Sequence, residues 1–391
     1  MTSQNLNDDF KALKRHFLLS AVVCLALASC NNRSSQTTKS DSVNNDQVAM
    51  ADSDTVASSA TALKPSGPKP DWAPSITPAM QAVLEKLASY KDPALITLTA
   101  IDARKQHSPA DAVMELIGEN KITVPPSKVD TSGKNIPVNG GNIHLRIYTP
   151  KVGNGPFPVI VYYHGGGWVI ANLDTYGASA QSLAEQTGAV LVSVAYRQAP
   201  EYKFPTAHND SYAAYEWVLK NAASIKGDPK KVAVVGESAG GNLAAAVSMM
   251  ARDKGAALPV HQVLVYPIAG YDLNTESYQK YSKAKPLNKP LMEWFYNKYL
   301  RGPADGKNPM ISLVTANLKG MPATTIINAE LDPLQTEGGT LADRLKSAGV
   351  SVTRKVYDGV THEFFGMAAV LPEAKEAQAL AAGELKKAFN K

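Results

Sequence analysis

Residues 231–250 read KVAVVGESAGGNLAAAVSMM, and this stretch changes character at its middle. Its first six residues are a short valine-rich run, which suits a strand buried on both faces. Its last ten are a good helix. Between them, Gly236-Glu237-Ser238-Ala239-Gly240 sets a serine among small residues in a tight strand-to-helix turn. Such a turn lifts a hydroxyl off the end of a sheet, and it needs small neighbours because backbone passes close by. The helix that follows offers unpaired N–H groups near the reacting atom. Ser238 is therefore read as a nucleophile; the competing reading is an ordinary glycine-rich turn.

Working outward, PVIVYYH (158–164), AVLVSVAY (189–196), HQVLVYP (261–267) and ATTIINA (323–329) are further continuous apolar runs. Helical patterns lie between them. Ala214, Trp217, Val218 and Asn221 recur at helical spacing, as do Leu334, Leu341, Leu345 and Ala348, and then Ala374, Ala377, Ala381, Leu385 and Ala388. Strands alternating with helices predict an α/β fold with a mostly parallel central sheet flanked by helices. IPVNGGNIHLRIYTP (136–150) instead alternates about a Gly-Gly-Asn turn, which predicts an antiparallel hairpin at the sheet edge. About 72–116 and 271–303 carry helical pattern without strands and are expected to be helices outside the sheet.

A serine nucleophile needs a base and a carboxylate to orient that base. Of the seven histidines, His362, after the run SVTRKVY, is the one placed at a late strand end. His16, His107, His144, His164, His208 and His261 fall in the leader, the helical segments, the hairpin, a glycine loop or the starts of elements. Asp332, after ATTIIN, is the favoured carboxylate; Asp358 and Glu330 are its rivals. His164-Gly165-Gly166-Gly167-Trp168 closes the run PVIVYYH. Three consecutive glycines mean that something needs bare backbone there, and an oxyanion hole would. His164 itself is read as ordering that loop, not as a second base. Trp168 and Trp217 are read as packing residues, and Trp294 as equally suited to packing or to ligand contact. His/Asp clusters with metal spacing are absent, and this chemistry needs no cofactor.

HGGGW, GESAGGN, DPL and the GxxHxF segment, in this order and with Tyr196-Arg197-Gln198-Ala199-Pro200-Glu201 between, resemble the hormone-sensitive lipase group of α/β-hydrolases, the bacterial family IV esterases. The resemblance covers about 72–391. It implies an oxyanion hole from the N–H groups of Gly166, Gly167 and Ala239. It also implies a helical cap over the site, which matches the two outlying segments, with apolar residues such as Leu291, Trp294 and Phe295 as its roof. Glu237 departs from the commoner aspartate of the group and is expected to anchor the turn.

The 391 residues are 44% hydrophobic and 19% charged, with a formal net charge of +5. That balance excludes collagen-like, coiled-coil and wholly disordered chains. Charge this mild, without a dense basic block, argues against a nucleic-acid partner. The only cysteines, Cys24 and Cys30, rule out a disulfide framework. Lysines and an arginine in 11–16 precede the apolar run FLLSAVVCLALA (17–28), which is too short to span a bilayer and reads as an export signal. Leu27-Ala28-Ser29-Cys30 resembles a bacterial lipoprotein signal. The expected organisation is a signal over 1–29, lipidation at Cys30, a flexible tether over 30–66 and a hydrolase domain over 67–391. A membrane partner is expected through the lipid anchor only, at a periplasmic or cell-surface location.

The leading expectation is a serine carboxylester hydrolase acting on short- to medium-chain acyl esters of small molecules. A deacetylase of carbohydrate esters or an amidase would use the same triad. A non-catalytic binding module would have lost triad members, and all are present.

Overall fold

The computed structural model describes residues 63–390. The expected signal over 1–29, the lipidation site Cys30 and most of the expected tether lie outside the described residues. Folded structure begins earlier than expected: Leu63 is buried, and Ser66 donates through its N–H and hydroxyl to Glu85 Oε2 at 2.6 and 2.7 Å. The last four residues of the expected tether thus belong to the domain.

Eight strands form one sheet: β1 (Val129–Val138), β2 (Gly141–Pro150), β3 (Phe157–Tyr163), β4 (Val190–Ala195), β5 (Gly227–Glu237), β6 (Gln262–Val265), β7 (Thr324–Leu331) and β8 (Val352–Thr361). Their spatial order is β1-β2-β4-β3-β5-β6-β7-β8. β1 and β2 are antiparallel to their neighbours, and the rest of the sheet is parallel. The hairpin sits at the edge as expected, but its turn is one residue earlier. Val138 pairs with Gly141, which leaves Asn139-Gly140 as the turn, with Gly140 at φ 77°. That left-handed angle is what a glycine is needed for.

Eleven α-helices are described: α1 (Pro78–Ser89), α2 (Ala100–Ala103), α3 (Pro109–Glu119), α4 (Gly177–Thr187), α5 (Thr206–Asn221), α6 (Ala239–Asp253), α7 (Glu276–Lys280), α8 (Lys289–Tyr299), α9 (Pro303–Gly306), α10 (Gln335–Ser347) and α11 (Pro372–Phe389). The strands have apolar residues at consecutive positions because both faces are covered. Val159, Val161 and Tyr163 join a core with α5, α6 and α10, while Ile160 and Tyr162 join the opposite core with α4 and α11. Each fully buried valine or isoleucine in such a layer contributes about 1.5–3 kcal/mol.

The chain goes from β3 to β4 on one side and then returns to β5 on the other. The C-terminal ends of β3 and β5 therefore flank a switch in direction, where an open α/β sheet leaves a crevice. The glycine loop follows β3 and Ser238 follows β5, so both meet at that crevice.

The outlying segments form α1–α3 and α7–α9. Thr77 caps α1 through its side chain, and Ser108 with Asp111 forms a capping box on α3. α1 is more than a cover, however. Ile76, Met80 and Val83 are fully buried, and Thr77 N–H donates to the Gly359 carbonyl of β8 at 2.9 Å.

Candidate active site

Ser238 stands between β5 and α6 with φ 57° and ψ −118°, an unusual backbone conformation for a residue with a side chain. Two glycines permit it. A Cβ on Gly236 would collide with the Gly240 carbonyl, and one on Gly240 would collide with that of Tyr163. The serine backbone is held by its N–H donating to Val265 O at 2.9 Å and its carbonyl accepting from Asn242 N–H at 3.1 Å.

Ser238 Oγ lies 2.9 Å from His362 Nε2, and His362 Nδ1 lies 2.7 Å from Asp332 Oδ2. The other Asp332 oxygen accepts from Leu334 N–H at 2.9 Å. All three side chains are buried. Three strand ends, from residues 30 to 124 apart along the chain, are thus brought into one hydrogen-bonded row. The rival carboxylates are elsewhere: Asp358 is exposed, and Glu330 accepts from Ser75 Oγ at 2.8 Å and from Gly359 N–H at 2.7 Å. Burial alone would lower the His362 pKa. The charge and hydrogen bond of Asp332, with the Glu363 and Glu237 carboxylates nearby, carry it above its ordinary value.

Glu237 lies beneath the turn and accepts hydrogen bonds from the hydroxyls of Tyr162 and Tyr266. Burial pushes its pKa up to about 7 against the opposing effect of those bonds. Tyr266 also packs on His362, with ring centroids 4.5 Å apart. The expected anchoring role of Glu237 therefore takes the form of a tyrosine-clamped carboxyl group that reaches the back of the histidine.

Gly166 and Gly167 have φ 90° and 58° and line the same cavity as Ser238 and His362. Ala239 is the first residue of α6, where a helix leaves N–H groups without intrahelical partners. The loop is fastened from several sides. Tyr196 Oη donates to the His164 and Gly165 carbonyls at 2.9 and 3.1 Å, and its ring stacks on His164. Gln198 donates to Ile170 O at 2.7 Å, and Arg104 Nε donates to Val169 O at 2.8 Å. His164 turns its Nδ1 to the Gly165 carbonyl at 2.9 Å, and burial lowers its pKa to about 4. It orders the loop as a neutral ring.

The cavity over Ser238 has a volume of about 880 Å³ and is lined by both outlying segments as well as the sheet ends. From α8 it takes Leu291, Met292 and Phe295. The expected roof residue Trp294 instead packs edge-on against Phe295, at 5.4 Å. On a helix, position 294 points about a quarter turn away from 295. Trp168 is fully buried and stacked on Tyr299 at 4.7 Å, and Trp217 is half-buried against the core. Sequence reasoning missed Arg104, Tyr176, Tyr266 and Glu363. Only Glu363 had a local signal, its place next to His362.

A family model for the α/β hydrolase fold matches residues 160–366. The chain is similar to carboxylesterase NlhH of Mycobacterium tuberculosis, 38% identical over 253 residues that make up 64% of this chain and 79% of that protein. It is also similar to ethyl acetate hydrolase of Pseudomonas putida, 30% identical over 77% of this chain and 96% of that protein. Among solved structures, a hyperthermophilic esterase from the archaeon Pyrobaculum calidifontis superposes with a TM-score of 0.74 at 36% identity, covering 80% of this chain and 98% of the other. A thermostable esterase from Pseudomonas putida gives a TM-score of 0.75 at 32% identity, over 81% and 98%.

Proposed function

Given that the chain belongs to the α/β hydrolase family and is a carboxylester hydrolase, we propose that Ser238 is its nucleophile, His362 its general base and acid, and Asp332 the group that orients His362. Ser238 Oγ attacks the ester carbonyl while its proton passes to His362 Nε2. The carbonyl oxygen becomes an oxyanion and is received by the N–H groups of Gly166, Gly167 and Ala239. His362 then gives its proton to the departing alcohol oxygen, which leaves an acyl group on Ser238. Water, activated by the same nitrogen, releases the acid and restores the serine. Asp332 holds Nδ1–H in place and stabilises the imidazolium that forms in each half.

The observation that carries this reading is the row Asp332–His362–Ser238, at 2.7 and 2.9 Å, beside the glycine loop. Ser238→Ala should stay folded and lose several powers of ten in ester turnover. A fluorophosphonate should label Ser238 alone in the wild type. Labelling of another serine, or near-normal turnover by the variant, would contradict the assignment. The substrates are short- to medium-chain esters, since the aliphatic and aromatic side chains of α8 bound the cavity. α1–α3 and α7–α9 serve as its cap.

We also propose that the protein is an exported lipoprotein held to a membrane through lipidated Cys30, on the strength of the apolar run 17–28 and Leu27-Ala28-Ser29-Cys30. Multiple acyl chains anchor firmly where one does not. Cys30→Ser should therefore release the enzyme into the soluble fraction with its specific activity intact, as fractionation and assay would show. Unchanged membrane association would count against the anchor.

A further inference from the structure

The histidine that delivers a proton to the leaving alcohol also marks where that alcohol must be. Its oxygen has to come within hydrogen-bond reach of His362 Nε2. A carboxylate oxygen other than those of Asp332 comes close to that nitrogen: Glu363 Oε1, 3.9 Å from Nε2. Glu363 plays no part in the triad, because Nδ1 is taken by Asp332 and 3.9 Å is too long for a hydrogen bond to Nε2. Yet its side chain lines the cavity.

The position of this carboxylate is held. Glu363 has φ 73°, in the left-handed region that a glutamate adopts only at a cost in backbone energy. Tyr176 donates its hydroxyl to Oε1 at 2.6 Å. Tyr176 is in turn pressed against the glycine loop, since a Cβ on Gly165 would collide with its hydroxyl. A carboxylate has about four acceptor sites, so one tyrosine leaves it able to accept more. The cavity lining is mixed. Leu287, Leu291, Met292 and Phe295 supply apolar side chains, while Asn172, Thr175, Tyr176 and Glu363 supply polar groups. An apolar acyl chain suits the first set, and a hydroxylated alcohol suits the second.

We propose that Glu363 binds the alcohol half of the substrate, so that this enzyme favours esters whose alcohol carries a second hydroxyl beside the ester oxygen, as in monoacylated glycerol or a monoacylated sugar. The inference rests on the esterase mechanism above. A hydroxyl on the neighbouring carbon of the alcohol meets the Glu363 carboxylate while the ester oxygen faces Nε2. A simple ethyl ester makes no such contact and leaves the carboxylate unmatched.

The test compares kcat/KM for glycerol monobutyrate and ethyl butyrate, which share an acyl group and differ in the alcohol. The wild type should favour the glycerol ester by about tenfold or more, the worth of one hydrogen bond to a charged group. Glu363→Ala should lose at least about tenfold more on glycerol monobutyrate than on ethyl butyrate. Glu363→Gln, which keeps a polar group at the same place, should retain part of the preference. Thermal unfolding of each variant shows that it is folded. Equal losses on both esters, with a shifted acid limb of the pH profile, would mean that Glu363 acts on His362 alone and would overturn the proposal. So would a wild type that treats the two esters alike. Failure of the wild type on both esters and on p-nitrophenyl butyrate would instead overturn the esterase mechanism itself.

Discussion

Asp332 and Asp358 both precede His362 along the chain, but only Asp332 is buried and bonded to Nδ1. Asp332→Asn should favour the wrong imidazole tautomer and cost about 10⁴ in kcat, as the equivalent change does in a serine protease triad. Asp358→Asn should change kcat little. The pH profile gives a second readout. A histidine serves as a base only when neutral, and the His362 pKa lies above the ordinary 6.5, so on the proposed mechanism kcat/KM should fall as pH drops through that raised value. Removing the Asp332 charge takes away the group that raises it, and the acid limb of the residual activity should move to lower pH. A limb that stays in place would assign the raised pKa to another group. The strained turn at Ser238 is legible in the sequence because its signal is local: a strand, a turn and a helix within twenty residues. Asp332 was readable only as the favoured member of a set, since its pairing with His362 depends on β7 and β8 lying side by side.

The elements that carry the site are joined by side chains as well as by the sheet. Arg104, just after α2, donates to the carbonyls of Val169 and Ala199 at 2.8 and 2.6 Å and pairs with the Glu201 carboxylate at 2.7 Å. One guanidinium thus ties an outlying helix to the glycine loop and to the segment that supports it. Arg104→Met keeps much of the apolar stem but strands two partly buried carbonyls, each at a cost of about 1–3 kcal/mol. The variant should melt several degrees lower. It should also lose about tenfold in kcat, because oxyanion donors act only when placed to within a fraction of an ångström. Melting curves and steady-state kinetics would show both, and a normal kcat would mean that the loop holds its shape alone. Nothing in the sequence pointed to Arg104. Its partners lie between 65 and 97 residues away, and an arginine near a helix end looks like any solvated charge. The glycines of the loop were legible for the opposite reason, since their meaning lies in their own backbone.

At the scale of the molecule, the segment 72–116 both lines the cavity and buries part of itself in the core. Ile76, Met80 and Val83 have no exposed surface and share a cluster with residues of the central sheet. Losing their burial alone costs about 5–9 kcal/mol, comparable with the whole stability of many domains. Deletion of 72–116 should therefore abolish the cooperative melting transition, not merely open the cavity. A truncated protein that still melted cooperatively would show that the segment is only a cover. Alternation of strand and helix made the sheet legible from sequence. The docking of α1 was not, because a helix whose apolar stripe faces a cap and one whose stripe faces a sheet have the same periodicity.

The backbone of Ser238, at φ 57° and ψ −118°, sets two demands on the chain against each other. A residue with a Cβ is held there at a cost of about 1–3 kcal/mol, and a glycine would be held at almost none. If Ser238 is the proposed nucleophile, position 238 is thus a place where heritable gains in heat resistance and loss of turnover coincide. A lineage selected only for persistence would drift toward glycine there, and its descendants would be sturdier proteins that no longer turn anything over.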